Sequence, residues 1–268
     1  MQDDIRTAAK FYASRPGENT ARLLRQRLRT FWPNTGPGSA PRAGERILGL
    51  GYTLPYLPLW ARPGAASGAA PGTAPGTAPG TALGAVMCLS ARLDTAVTRD
   101  AATIAPIGVH DCMVAEDRLP FPELHFDRVL MVHALETAER PDELLRSAWK
   151  ILKDDGRLLL VVPNRAGWWA HADDTPFGQG APFSPRQIAR RLSRAFLRAE
   201  RHDGALYLPP MGAAHRALGN LAEAAGHALL PALGGVFVIE AVKDVYAGMP
   251  AAPAPALIRV PRRIYEPG

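Results

Sequence analysis

The stretch that decides the fold is residues 115–164, AEDRLPFPELHFDRVLMVHALETAERPDELLRSAWKILKDDGRLLLVVPN. Asp127–His133 (DRVLMVH) is almost continuously apolar and predicts a buried strand. Asp142–Leu152 has its apolar residues on one side and follows Pro141, which suits the first turn of a helix. Gly156–Pro163 (GRLLLVVP) predicts a second buried strand. A strand, a helix and a strand in this order predict two parallel strands joined by a crossover helix.

The same alternation continues on both sides of this stretch. Further strands are predicted at Arg46–Leu50, Ala85–Leu89, His110–Ala115, Ala205–Leu208 and Gly235–Val242, and further helices at Asp3–Ala13, Glu18–Phe31, Pro185–Arg198 and about Ala213–Ala225. The predicted fold class is therefore α/β, a doubly wound and mostly parallel seven-stranded sheet with helices on both faces.

This pattern divides the chain into an N-terminal helical extension (1–44), one domain (45–245) and a C-terminal tail (246–268). Inside the domain, Pro63–Gly84 contains only Ala, Gly, Pro, Thr, Ser and one leucine, with APGT repeated three times. Such a segment has too few large side chains to offset its ordering entropy, so it predicts a flexible insertion.

Composition limits the class of protein. The chain has 268 residues, of which 47% are hydrophobic and 21% charged, which suits one folded domain. Cys88 and Cys112 are too few for a disulfide framework, and no metal-binding spacing is present. The N-terminus has no secretory apolar segment, and the longest apolar run, Ala224–Ile239, is interrupted by His227 and Pro231. We expect a cytoplasmic protein with no metal and no membrane partner.

The net charge of +6 raises the question of nucleic acid. On the predicted helix, six arginines would lie on one side: Arg186, Arg190, Arg191, Arg194, Arg198 and Arg201. Such a stripe is typical of a solvated helix face and also of a phosphate-binding surface. We favour the solvated face, so nucleic acid is not an expected partner.

The loop after the first strand is the candidate ligand loop, Gly49-Leu50-Gly51-Tyr52. Ligands of doubly wound sheets bind at the carboxyl ends of strands, and glycines let the backbone approach a ligand closely. A dinucleotide loop would need a third glycine where Leu54 stands, and an acid where Ser90 and Ala91 stand. These differences argue against a nicotinamide cofactor.

Four motifs follow one another in a recognisable order: Leu119–Pro122 (LPFP), Phe126-Asp127, His133–Glu136 (HALE) and Gly156–Asn164. In order and spacing they resemble the class I S-adenosylmethionine (SAM)-dependent methyltransferases, in particular the type 11-like group. The resemblance covers about residues 45 to 164.

This resemblance implies SAM as the cofactor. It places the loop Gly49, Leu50, Gly51 and Tyr52 against the methionine part of SAM. It places Glu116 or Asp117 near the adenine amino group, and His133 beside the sulfonium and the substrate pocket. Taken without the resemblance, the two acids are a solvated loop pair and His133 is a strand-end histidine with its partners satisfied.

The chain departs from the family at the cofactor loop. The family has an acid where Gly49 stands and glycines where Thr53 and Pro55 stand. It also has an acid at the end of the second strand that holds the ribose hydroxyls, and none occurs within Ala85–Ala91. We therefore expect a degenerate cofactor loop.

Three functions remain open. The first is a SAM-dependent methyltransferase for a small-molecule or protein acceptor, with His133 and His171 as candidate proton-handling residues. His171 lies in WWAHADD (168–174), which could equally be a loop whose tryptophans cap the core. The second is a non-catalytic binding or scaffold protein with this fold, and the third is an RNA methyltransferase. The sequence names neither the acceptor nor an oligomeric state.

Overall fold

The sheet has seven strands, as predicted. The computed structural model describes residues 8–33, 41–42, 44–61, 86–93, 109–115, 119–209, 219–229 and 233–244. The strands are β1 (Arg46–Gly51), β2 (Met87–Leu93), β3 (Val109–Val114), β4 (Phe126–Val132), β5 (Leu152–Pro163), β6 (Leu197–Ala205) and β7 (Val236–Lys243).

The strand order is β3-β2-β1-β4-β5-β7-β6. Neighbours from β3 through β5 are parallel, and β7 is antiparallel to both β5 and β6. The predicted fold class, a mostly parallel α/β sheet, is confirmed. The order reverses between β1 and β4, where a doubly wound sheet opens a crevice at the carboxyl ends of its strands.

Helices cover both faces of this sheet. They are α1 (Ala8–Tyr12), α2 (Arg15–Phe31), α3 (Pro141–Ile151), α4 (Pro185–Arg194) and α5 (Gly219–Leu229), with short 3-10 turns at Leu57–Leu59, Trp168–His171 and Pro176–Gly178. On one face, α1 and α2 bury Phe11, Leu24 and Leu28 in a first core with Ile47 and Leu130. On the other face, α3 and α4 close a second core.

The N-terminal helices thus share a core with the sheet. Helix α2 starts where the Ser14 hydroxyl accepts a hydrogen bond from the Gly17 amide, and Pro16 lies in its first turn. A division of the chain at residue 44 stays a prediction.

The prediction around α4 and β6 is wrong. The helix predicted at Pro185–Arg198 ends at Arg194, and the strand predicted at Ala205–Leu208 is β6, which starts at Leu197. Phe196 has a φ of +58°, which breaks the helix, and the following residues pair antiparallel with β7. The helical spacing of apolar residues continues past Arg194 in the sequence, but strand pairing overrides it. Arg198 and Arg201 therefore lie on a strand, so the six arginines do not share one helix face.

The second strand also differs from its predicted bounds. It was expected at Ala85–Leu89 and runs instead to Leu93. The following predictions concern residues outside the described ranges: the start of the helix Asp3–Ala13, the insertion Pro63–Gly84, the acids Glu116 and Asp117, the start of the helix near Ala213, and the tail 246–268. None of the described helices is both long and apolar enough to cross a membrane.

Candidate functional site

The two glycines of the candidate loop serve the packing of the chain itself. Gly51 ends β1 with a φ of +85°, and a Cβ at this position would overlap the carbonyl oxygen of Val132 on β4. At Gly49, the missing side chain leaves space that the Thr53 side chain fills. The loop is thus packed from within at the positions where the resemblance places the methionine part of SAM.

The other two loop residues lie on different sides of the sheet. Leu50 is fully buried in the second core, away from the crevice. Tyr52 is buried on the side of the first core, where its ring stacks on Tyr12 of α1 with centroids 5.6 Å apart. Of Leu50 and Tyr52, it is Tyr52 that contacts Tyr12, whose hydroxyl reaches His133 at the end of β4.

His133 follows β4 and is completely buried, with a φ of +52°. Its Nε2 lies 2.8 Å from the Tyr12 hydroxyl, and its Nδ1 lies 3.2 Å from Oε1 of Glu136. The Tyr56 hydroxyl donates to the Tyr12 hydroxyl at 2.7 Å. Tyr56, Tyr12, His133 and Glu136 form a continuous hydrogen-bonded series, called here the tyrosine–histidine chain. The Phe177 ring covers His133 at 4.3 Å.

The direction of these hydrogen bonds follows from the proton count. A phenol has one proton, so Tyr12, which accepts from Tyr56, donates its own proton to Nε2 of His133. The remaining imidazole proton is then on Nδ1 and points at Glu136. Burial raises the pKa of Tyr12 well above its usual value, and the neighbouring Tyr56 and Glu136 raise it further. Burial also raises the pKa of Tyr56, so both phenols stay protonated at neutral pH.

The second predicted histidine does not belong to this group. His171 is exposed, and its Nε2 lies 3.2 Å from the carbonyl oxygen of Arg165. Two residues earlier, Trp169 is buried, contacts Phe177 edge-on and donates to the Leu208 carbonyl. Trp168 is 69% exposed, so only one of the two tryptophans caps the core.

Two members of the tyrosine–histidine chain, Tyr12 and Tyr56, were not predicted from the sequence, and Glu136 had no predicted role. Tyr12 lies 121 residues from His133 in sequence, and no local pattern links them. Glu136 carried a usable signal, because an acid three residues after a strand-end histidine can reach its ring.

Three buried oxygens on β2 or just after β1 and β4 make no hydrogen bond within the part of the chain that the structure describes. They are Thr53 Oγ1, Ser90 Oγ and Glu136 Oε2. Thr53 follows β1, Ser90 is on β2, and Glu136 follows β4, so the three belong to adjacent strands around the crevice. Buried polar atoms are nearly always paired, so these three positions indicate a ligand or ordered water.

Comparisons with known proteins bear on this geometry. A family model described as a methyltransferase domain matches residues 84–160. A SAM-dependent methyltransferase from Thermotoga maritima, described as a possible histamine N-methyltransferase, superposes with a TM-score of 0.53 and 14% identity, over 88% of this chain and 93% of that one. A methyltransferase solved in complex with the Haloferax volcanii activator Trm112 gives 0.54 and 16%, over 91% and 99%. The chain therefore has the fold of these methyltransferases.

Among curated proteins, the C-methyltransferase UbiE of ubiquinone and menaquinone biosynthesis from Pseudomonas putida is 42% identical over 45 residues. This match spans 17% of this chain and 18% of the length of that relative. The residues that the family model matches lie within residues 45–164, the range that the resemblance covers.

The fold implies SAM, and the three unpartnered oxygens allow a test of whether the residues suit it. Carboxylate and hydroxyl oxygens accept hydrogen bonds, and SAM brings donors of its own, an amino group and two ribose hydroxyls. Thr53, Ser90 and Glu136 therefore fit such a ligand. One expected acceptor is missing, because Gly49 stands where the resemblance to the methyltransferases predicts an acid.

Proposed function

We propose that this chain is a SAM-dependent methyltransferase that acts on a small-molecule or protein acceptor. One observation carries the proposal. At the crevice of a class I methyltransferase fold, a buried histidine is held by Tyr12 and Glu136 beside unpartnered oxygens. The methyltransferase family model and the short match to UbiE support it.

The residues nearest the crevice would hold the cofactor. When bound, SAM supplies a methyl group on a positively charged sulfur. The glycine loop from Gly49 to Tyr52, with the Thr53 hydroxyl, would lie against its methionine part. Glu136 has one carboxylate oxygen engaged by His133 and the other available as an acceptor. A carboxylate there also favours a neighbouring positive charge.

Methyl transfer also requires that a proton be removed from the acceptor. Both nitrogens of His133 are engaged, so this histidine does not accept that proton directly. Instead, the Tyr12 oxygen takes up the proton while Tyr12 passes its own to Nε2 of His133. Glu136 holds the Nδ1 proton and stabilises the imidazolium that results. His133 thus acts behind Tyr12, and exposed His171 has no part in this transfer.

The non-catalytic alternative has a specific observation in its favour. Thr53 fills the space beside Gly49, and the rings of Tyr12 and Tyr52 are packed together next to the loop. A site filled by its own side chains suits a binding or scaffold protein. The RNA methyltransferase alternative has only the arginines of α4 and β6 in its favour.

Isothermal titration calorimetry with SAM and its demethylated product tests the proposal. We expect dissociation constants from micromolar to sub-millimolar. Thr53→Val keeps the side-chain shape and removes an unpartnered hydroxyl, so it should weaken SAM binding several-fold without loss of stability. Thr20→Val is the matched control, because the buried Thr20 hydroxyl donates to the Pro16 carbonyl within α2, away from the crevice. Absence of heat up to millimolar ligand would favour the non-catalytic protein.

A further inference from the structure

The strands β2 and β3 carry polar side chains at the level of Gly49 on β1. Gly49 is the register partner of Ser90, and Ser90 is the register partner of Asp111. Cys88 and Val109 point into the first core, and side chains two residues apart on a strand share a face. Ser90 and Asp111 therefore point to the same face and are neighbours across the strands.

Arg92 joins this pair from two residues farther along β2. Its Nη2 lies 2.8 Å from Oδ2 of Asp111, and the two side chains are only 12% and 11% exposed. Within the described part of the chain, four buried atoms of this group have no hydrogen-bond partner: Ser90 Oγ, Asp111 Oδ1, and Nε and Nη1 of Arg92. A serine, a carboxylate and a guanidinium are thus each left partly unsatisfied at one place.

The unpartnered atoms include both a hydrogen-bond acceptor and hydrogen-bond donors, and this limits the chemical class of ligand that can bind. Asp111 Oδ1 can only accept a hydrogen bond, so an anion such as phosphate would be repelled there. The Arg92 nitrogens can only donate, so a cation would be repelled by them. A neutral hydroxyl satisfies both, because it donates to the carboxylate and accepts from the guanidinium. A pair of adjacent hydroxyls could serve Ser90 as well.

We propose that Ser90, Arg92 and Asp111 form a binding site for the vicinal hydroxyls of a ribose. Asp111 on β3 thereby replaces the ribose-holding acid that the second strand lacks. The Arg92 ion pair fixes the orientation of the Asp111 carboxylate and leaves Oδ1 free to accept. This inference rests on the proposed function, since SAM would bring the ribose.

The experiment measures how much the ribose 2′-hydroxyl contributes to ligand affinity in each variant. Calorimetry compares S-adenosylhomocysteine with its 2′-deoxy analogue, and adenosine with 2′-deoxyadenosine. Asp111→Asn keeps the size of the side chain and removes the charge. The matched control is Asp155→Asn, an exposed acid near the amino-terminal start of β5, away from the carboxyl ends of the strands. Ser90→Ala is a second test variant that leaves the ion pair intact, in case Asp111→Asn does not fold.

For the wild type and Asp155→Asn we expect the 2′-hydroxyl to strengthen binding about 10- to 100-fold, as a hydrogen bond to a charged group does. Asp111→Asn should lose most of this preference, and Ser90→Ala a part of it. An unchanged preference in both variants, with S-adenosylhomocysteine still bound, would overturn the ribose site and leave buried water as the partner of these atoms.

Two other outcomes separate this inference from the proposed function. If S-adenosylhomocysteine does not bind but adenosine does, with a 2′-hydroxyl preference that needs Asp111, the ribose site stands and methyl transfer from SAM fails. If neither compound binds at millimolar concentration, both are overturned.

Discussion

Gly51 lies in the candidate cofactor loop, but the packing of the chain itself also requires a glycine at this position. Its φ of +85° lies in the left-handed region, and a Cβ there would overlap the backbone of β4. Gly44 has nearly the same φ, +86°, with nothing within 4 Å of the position of a Cβ. The two glycines thus differ in steric surroundings and share the same backbone conformation.

This pair allows a clean prediction. Gly44→Ala should cost about 1 kcal/mol of unfolding free energy, the strain of a left-handed alanine. Gly51→Ala should cost about 3 kcal/mol or more, because β4 must also move away from β1. Urea unfolding without ligand measures both. Equal losses would mean that the β1–β4 contact is soft and that Gly51 is there for the ligand.

Single residues also mark the limit of what the sequence could predict about the site. The strand-end position of His133 and its link to the HALE motif were visible, because they depend on local order along the chain. Tyr12 was not, because its contact with His133 arises only when α1 packs on the sheet. His171 was a second candidate in the sequence, and only tertiary packing distinguishes an exposed ring from a buried one.

At the scale of elements, α4 and β6 divide an arginine cluster that looked continuous. On α4, Arg191 lies 2.7 Å and Arg194 3.8 Å from Asp142 of α3. On β6, Arg198 lies 3.3 Å from Glu200. Asp142 of α3 and Glu200 of β6 itself thus balance part of this charge, and the arginines are distributed over two elements instead of one.

We expect the triple variant Arg190→Gln, Arg194→Gln, Arg198→Gln to leave nucleic-acid retention almost unchanged. A helix face that tracks phosphates would lose somewhat under one unit of log–log salt slope for each contact removed. Filter binding of RNA at several salt concentrations measures the slope. A tight wild-type complex at physiological salt, with a smaller slope in the variant, would put the RNA methyltransferase first.

The elements that sequence predicted well are those whose pattern and packing agree. Val129–Val132 of β4 and Leu158–Pro163 of β5 are apolar and buried on both faces, so these segments could be recognised as strands from the sequence. Strand β6 has an exposed middle and a polar sequence, which does not predict a strand. Its antiparallel pairing with β7 stabilises the strand conformation. Its type depends on a distant strand, which no local window contains.

At the scale of the whole molecule, the tyrosine–histidine chain joins α1, the loop after β1 and the end of β4. Tyr12 and Tyr56 are both buried, and the pKa of each is raised in the folded protein. In the unfolded chain, the same phenols ionise near pH 10. The folded protein therefore holds protons that the unfolded chain has lost once the pH exceeds about 10. Stability from this source is complete below pH 10 and falls as the pH rises above it.

This linkage predicts a loss of unfolding free energy of up to about 1.4 kcal/mol per pH unit for each of the two tyrosines above pH 10. Urea unfolding at pH 8, 9.5, 10.5 and 11 measures the slope, and absorbance at 295 nm counts the phenolates of the folded protein. Fewer than the six tyrosines of the chain should ionise before unfolding. The double variant Tyr12→Phe, Tyr56→Phe has the same lysines and arginines as the wild type, so the difference in slope isolates these phenols. If all six ionise near pH 10 in the folded protein, or if the double variant keeps the wild-type slope, α1 is not closed over the crevice in solution and Tyr12 does not hold His133.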